Sequence, residues 1–197
     1  MTAIAIPWRP APKRQALFDA VVEFYHGTYI EDIYLDDSEG PVFSRSRAIN
    51  KAVARVFEDG HEVVVIGDAD TVCEVIPLYS AIADTYKDKK SRLPYDKYIL
   101  MGEGHTGLFL NSGEVTGPVY DGACSGILVV HRDTWRELGG FDERYVGWGA
   151  EDVEFAIRHQ FIREPGKCWG MWHEPDERGE LTRLNMERLR TENPGCG

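Results

Sequence analysis

Short runs of consecutive apolar residues alternate along this chain with longer stretches in which apolar residues recur at helical spacing. Ala3-Ile4-Ala5-Ile6, closed by Pro7 and Pro10, predicts a buried strand that leaves its sheet into the loop Trp8-Arg9-Pro10-Ala11-Pro12. Leu17, Phe18, Val21, Val22 and Tyr25 then mark one face of a helix over 13–25, stopped at Gly27. A second strand over 30–35 runs into the acidic turn Asp36-Asp37-Ser38-Glu39-Gly40-Pro41. A helix beginning near Ser44 or Ser46 follows, with Ile49, Ala52, Val53, Val56 and Phe57 on its apolar face. Val63-Val64-Val65-Ile66 is a continuous β-branched run, the pattern of a strand covered on both faces, as in a parallel sheet.

The second half reads less evenly. A helix over 75–86, with Pro77 in its first turn, precedes a strand over 95–101. The segment 102–122 is glycine-rich and aperiodic, and Asn111-Ser112-Gly113 predicts a hairpin turn within it. A strand over 125–130 leads to a short helix capped by Asp133 or Thr134 and ended by Gly139-Gly140. Val153, Ala156 and Ile157 have helical spacing, which puts Glu151 and Asp152 in a first turn. A helix over 177–190 and a loose tail over 193–197 close the chain. Together these elements predict an α/β fold, a single Rossmann-like domain with a mostly parallel central sheet flanked by helices.

With 197 residues, 43% of them hydrophobic, the chain is long enough for one sizeable core. Its 33 acidic residues against 22 basic ones give a net charge of −11, which excludes a general binder of nucleic-acid backbones. Cys73, Cys124, Cys168 and Cys196 form no C-x-x-C pair, so free thiols and a reducing compartment are expected. The run Met1–Pro7 is too short for a signal peptide, and no window reaches the roughly 18 apolar residues of a membrane span. The expectation is a soluble, cytoplasmic protein with no membrane insertion.

Two acidic pairs stand out. Gly67-Asp68-Ala69-Asp70 follows the most apolar strand directly, and if the extended conformation persists, Asp68 and Asp70 point the same way. Carboxylates so placed repel unless a cation sits between them or one is protonated. The second pair, Glu151-Asp152, follows Gly147-Trp148-Gly149-Ala150, a large aromatic between glycines that reads as the wall of a pocket. A helix dipole explains one carboxylate there but not the aromatic. Arg45 and Arg47, at a helix start where cations oppose the dipole, look placed to meet an anion. His173 ends the aromatic run Cys168-Trp169-Gly170-Met171-Trp172, where a histidine is more often packing than ligand.

These residues resemble the GT-A glycosyltransferases, in particular the galactosyltransferase and polypeptide N-acetylgalactosaminyltransferase branches. The resemblance rests on Ile66-Gly67-Asp68-Ala69-Asp70, Ser125-Gly126-Ile127-Leu128-Val129-Val130, Leu138-Gly139-Gly140-Phe141-Asp142-Glu143 and Gly147-Trp148-Gly149-Ala150-Glu151-Asp152. It is most specific over 122–158 and weakest over 86–122. It implies one GT-A domain, with a nucleotide-sugar part over 1–100, an acceptor and catalytic part over 101–176 and a terminal helix and tail over 177–197.

The resemblance further implies a metal site of Asp70, Asp68 and His173 holding Mn2+ or Mg2+ on the diphosphate of a nucleotide sugar, UDP-linked by preference. Oxygen ligands and one imidazole suit Mn2+ better than zinc. Pro7, Arg9, Asp36, Asp37, Arg47, Asp68 and Ala69 would contact the donor. Asp152 would be the general base of an inverting transfer, Glu151 would bind acceptor hydroxyls, and Trp148, Gly147 and Gly149 would line the acceptor. The acceptor hydroxyl belongs to a saccharide, a protein or a modified nucleobase. The alternative is a non-catalytic nucleotide- or glycan-binding module that retains the fold. A pyrophosphorylase would need a Gly-rich basic loop where Pro7-Trp8-Arg9-Pro10 stands, and a glycosidase a second free carboxylate pair.

Overall fold

The computed structural model describes residues 1–113, 117–120, 123–174 and 179–194. In chain order the first half contains β1 (Thr2–Pro7), a 3-10 turn (Pro12–Arg14), α1 (Gln15–His26), β2 (Ile33–Asp36), α2 (Arg45–Glu58), β3 (Val63–Gly67), β4 (Thr71–Cys73) and α3 (Val75–Asp88). The second half contains β5 (Arg92–Leu93), β6 (Lys97–Leu100), α4 (Glu103–Ser112), β7 (Val119–Tyr120), β8 (Ile127–His131), α5 (Arg132–Leu138), α6 (Glu151–Arg158), β9 (Ile162–Arg163), β10 (Lys167–Gly170) and α7 (Glu180–Glu192).

A six-stranded sheet runs β2-β1-β3-β8-β5-β9. Its middle is the pair of apolar runs read from the sequence: Ile4 lies opposite Val65 in parallel register, and the side chains of both strands are buried. β2 joins in parallel, with Pro7 opposite Asp36, so the C-terminal ends of β1, β2 and β3 form one rim. Such a rim is where open α/β sheets take ligands.

The mostly parallel expectation holds in part. β8 runs antiparallel to both β3 and β5, with Gly67 opposite Ile127, whereas β2-β1, β1-β3 and β5-β9 pair in parallel. A strand covered on both faces is equally apolar in either direction, so its pattern carries no information on orientation. A second sheet, β4-β10-β6-β7, was also not expected. It matters for the site. β10 pairs antiparallel with β4, Gly170 opposite Thr71, so the chain beyond β10 runs back past the start of β4.

Two further expectations fail locally. Asn111-Ser112-Gly113 is no hairpin: Gly113, at φ +71°, ends α4, and Asn111 and Ser112 bond back to the carbonyls of Gly107 and Leu108. That helix buries only Thr106 and carries two internal glycines, so it shows no apolar face to read. The cap of α5 is His131, whose Nδ1 accepts from the Asp133 amide at 3.1 Å, rather than Asp133 or Thr134. Asp121, Glu177 and Cys196 lie outside the described residues.

One core joins both faces of the large sheet. α2 lays Ile49, Ala52, Val53 and Val56 onto it, α1 contributes Leu17, Val21 and Tyr25, and α3 contributes Leu78 and Ala81. Each such fully buried aliphatic side chain stabilises by about 1.5–3 kcal/mol relative to exposure. At the other end, Phe141 stacks on Phe155 with ring centres 4.4 Å apart, beside Trp135. A separate small cluster of Tyr145, Ala150 and Leu189 joins α7 to the segment before α6.

Candidate active site

The acidic pair after β3 does not stay extended. The chain turns at once, with the Thr71 amide donating to the Asp68 carbonyl at 3.3 Å, and Asp68 and Asp70, though near enough to feel each other's charge, take different partners. Asp68 is pinned by its own amide to the Gly126 carbonyl at 2.8 Å, and its carboxylate accepts from Arg45 Nε at 2.7 Å. Asp70 accepts from Arg14 at 2.7 Å, and His173 Nε2 stands 3.3 Å from the same Asp70 oxygen. The Met171 amide donates to the Asp70 carbonyl at 2.8 Å, so the return of the chain past β4 is what delivers His173.

The donor set fits a divalent ion in part. His173 Nδ1 donates to the Glu174 carbonyl at 2.9 Å, which leaves Nε2 as the lone-pair nitrogen facing Asp70 when the ring is neutral. Among the described residues, no three His, Cys, Asp or Glu side chains close into a finished cage. Positive charge at the two carboxylates comes from Arg14 and Arg45. Burial works to raise the Asp70 pKa, but the His173 hydrogen bond and the Arg14 charge outweigh it and hold the carboxyl below its ordinary range. For Asp68 burial dominates and raises the pKa, with Arg45 opposing. The Asp70 hydrogen bond raises that of His173.

Arg45 links this group to the second acidic pair. Its Nη1 lies 3.6 Å from Glu151, its guanidinium sits over the Phe141 ring at 5.6 Å, and burial that would oppose its charge is overcome by Asp68 and Glu151. Glu151 is buried, and burial, reinforced by the neighbouring Asp152 charge and opposed by Arg45, pushes its pKa up to about 7. Asp152 is only half-buried and faces a narrow cleft of about 10 Å³, room for about one water, shared with Arg45, Cys124, Ser125, Gly126 and Phe141. Glu151 is thereby withdrawn towards Arg45 while its neighbour keeps access to the cleft.

The glycine motifs hold that geometry. Gly139 and Gly140 adopt φ of +73° and +75°, and Arg158 from α6 bonds the carbonyls of Leu138 and Gly140 at 2.8 and 2.9 Å. Asn50 of α2 brackets Phe141, donating to its carbonyl at 2.9 Å and accepting from its amide at 3.0 Å. Gly147 and Gly149 take φ of +80° and +96°, a region L side chains rarely enter, and leave Trp148 49% exposed between them.

The expected donor residues divide. Pro7 and Asp36 lie side by side at the rim, and Arg9 meets Asp37 through Nε at 2.9 Å, holding that carboxyl below its ordinary range. Asp36 turns to Lys51 and Arg55, at 3.0 and 3.1 Å. Ala69, just past the end of β3, has its side chain buried in the core. Arg47 points to Glu143 at 3.6 Å and is half-exposed, so the arginine in the carboxylate cluster is Arg45. The sequence marked Arg45 as anion-facing, but gave no sign that the anions would be the chain's own carboxylates. Arg14 carried no such mark.

A family model described as the N-terminal domain of galactosyltransferase matches residues 116–164. Human β-1,4-galactosyltransferase 4 is 24% identical over 174 residues, covering 84% of this chain and 43% of the human protein. Drosophila melanogaster β-1,4-galactosyltransferase 7 is 43% identical over 47 residues, 24% of this chain and 14% of the fly protein. The chain therefore spans less than half the length of either curated relative. Among solved structures, the catalytic domain of the Drosophila β1,4-galactosyltransferase 7 with xylobiose superposes with a TM-score of 0.60 at 17% identity, over 95% of this chain and 79% of that one. A mutant of the same fly enzyme with manganese, UDP-Gal and xylobiose gives 0.56 at 19% identity, over 82% of this chain and 63% of that one. GalNAc-T7 with UDP, GalNAc and Mn2+ gives 0.57 at 12% identity, over 97% and 48%. The fold is that of the GT-A glycosyltransferases, and the sequence is galactosyltransferase-like.

Proposed function

We propose that this chain is an inverting, metal-dependent glycosyltransferase that moves a sugar from a UDP-sugar to an acceptor hydroxyl, most simply that of a saccharide. The observation that carries the reading is the continuous cluster from His173 and Asp70 through Asp68 and Arg45 to Glu151, with Asp152 beside it on the cleft. One end of that cluster suits a metal diphosphate, and the other suits a hydroxyl to be deprotonated. Relatives that bind manganese, UDP-Gal and xylobiose support the same division.

Asp70 and His173, with Asp68 near by, would hold the ion, which when bound neutralises the charge that develops on the departing diphosphate. Arg9 and Asp37, at the ends of β1 and β2, would hold the nucleoside. Asp152 would take the proton of the acceptor hydroxyl as that oxygen attacks the anomeric carbon and the bond from that carbon to the phosphate oxygen breaks. Glu151, buried against Arg45, would serve to orient the acceptor side. Cys73, Cys124 and Cys168 are free, and no helix among the described residues is long and apolar enough to cross a membrane.

The test is release of UDP from UDP-galactose, with and without Mn2+, in the presence and absence of xylobiose. Metal-dependent release stimulated by xylobiose is the expected result. Equally tight UDP binding in excess chelator, with no turnover of any UDP-sugar, would favour the binding-module alternative.

A further inference from the structure

We infer that Asn185, on the terminal helix, is a positioning residue that sets the acceptor loop Gly147-Trp148-Gly149 in register with Asp152. The inference rests on the reading of that loop as the acceptor side of a glycosyltransferase site. Asn185 is a buried polar side chain, 5% exposed, far in sequence from the loop. Its Nδ2 donates to the carbonyl of Val146 at 3.0 Å and to that of Trp148 at 3.4 Å, the two carbonyls that flank Gly147. One amide thus spans the residue that turns the chain into the left-handed region.

The loop is clamped from both sides. On the side of the segment leading into α2, the Gly147 amide donates to the Phe43 carbonyl at 3.1 Å, and the hydroxyl of Ser44, the N-cap of α2, donates to the Tyr145 carbonyl at 3.2 Å. From α7, Leu181 and Met186 close on the faces of Gly147 and Gly149, at 3.4 and 3.5 Å from where their Cβ atoms would be. Gly149 and then Ala150, at φ +96° and +79°, lead directly into Glu151 and Asp152. A non-glycine residue persists in that conformation only where its surroundings over-determine it. Asn185 is a polar contact from α7 to the backbone on both sides of Gly147, and its removal takes one donor from each of the two carbonyls.

Removal of the amide should therefore loosen the loop without touching the donor. With UDP-galactose, Mn2+ and xylobiose as probes, Asn185→Ala and Asn185→Asp should raise the xylobiose KM about tenfold, with the UDP-galactose KM and metal-dependent donor hydrolysis changed less than about twofold. Deuterium exchange of the amides over 146–151 should speed up about tenfold while the strands stay protected. On a Trp148→Ala background the further change Asn185→Ala should add less than about twofold, because the two act as a unit. Equal rises in both KM values, or unchanged exchange over 146–151, would overturn the inference. If Asn185→Asp does not fold, Asn185→Ala reads the same split. The exchange measurement decides without any acceptor, so a failure of unmodified protein to use UDP-galactose counts against the proposed activity and leaves this inference to the exchange result.

Discussion

Asp152 and Glu151 are consecutive carboxylates with different surroundings, and the difference assigns them different work. Asp152 is half-buried on the cleft, whereas Glu151 is buried against Arg45. Asp152→Asn keeps the shape and removes the basicity, so transfer should fall by about 10²–10⁴ with UDP affinity unchanged, as read by steady-state rates beside calorimetry. An unmodified rate at saturating acceptor would move the base elsewhere. Glu151 is visible in stability instead. Its folded pKa is raised to about 7 from an ordinary 4.5, so its contribution is fully present below about pH 4.5 and is lost as pH rises through 7. Glu151→Gln should flatten the pH dependence of unfolding between those limits, a difference on the order of 3 kcal/mol in denaturant titrations at pH 5 and pH 8. A variant with the same slope as the unmodified protein would show that Glu151 titrates normally. Subtraction of the two profiles removes His173, which shifts the same way, and His131 and His159, whose depressed values act in the opposite sense.

At the scale of elements, legibility followed burial. β1, β3, α1, α2 and α3 were readable because each buries a run or stripe that only one period explains. α4 was not, because it buries one residue, and β5, β7 and β9, two residues each, are too short to carry a period. The segment after β3 is a different case: the shared direction of the aspartates was conditional on an extended chain, and the Thr71 amide bonded to the Asp68 carbonyl turns the chain instead. Gly67, where β3 ends, makes the tight packing at that point testable. A Cβ there would lie 2.5 Å from the hydroxyl of Tyr25, which is fully buried and cannot swing aside. Gly67→Ala should cost about 1–3 kcal/mol in denaturant unfolding, with the cost largely relieved by Tyr25→Phe in the double variant. Equal stability of Gly67→Ala and the unmodified chain would mean that β1, α1 and β3 pack less tightly than described.

For the whole molecule, the site's members could be named from motifs, but their partners could not. Nothing in the local pattern ties Asn185 to Trp148, Asn50 to Phe141, or Arg14 to Asp70, since each pair spans the fold. Resemblance supplied His173, which its aromatic neighbours alone assign to packing, and the antiparallel pairing of β10 with β4 explains how it arrives. That pairing also sets an order of events during synthesis. A chain growing from its N-terminus displays Asp68 and Asp70 early, together with their ion-pair partners, Arg14 from the 3-10 turn and Arg45 from the start of α2. His173 and α7 come last, through contacts of long sequence separation that form slowly. A nascent chain halted before β10 already contains Arg14, Arg45, Asp68 and Asp70, and of this charged group lacks only His173.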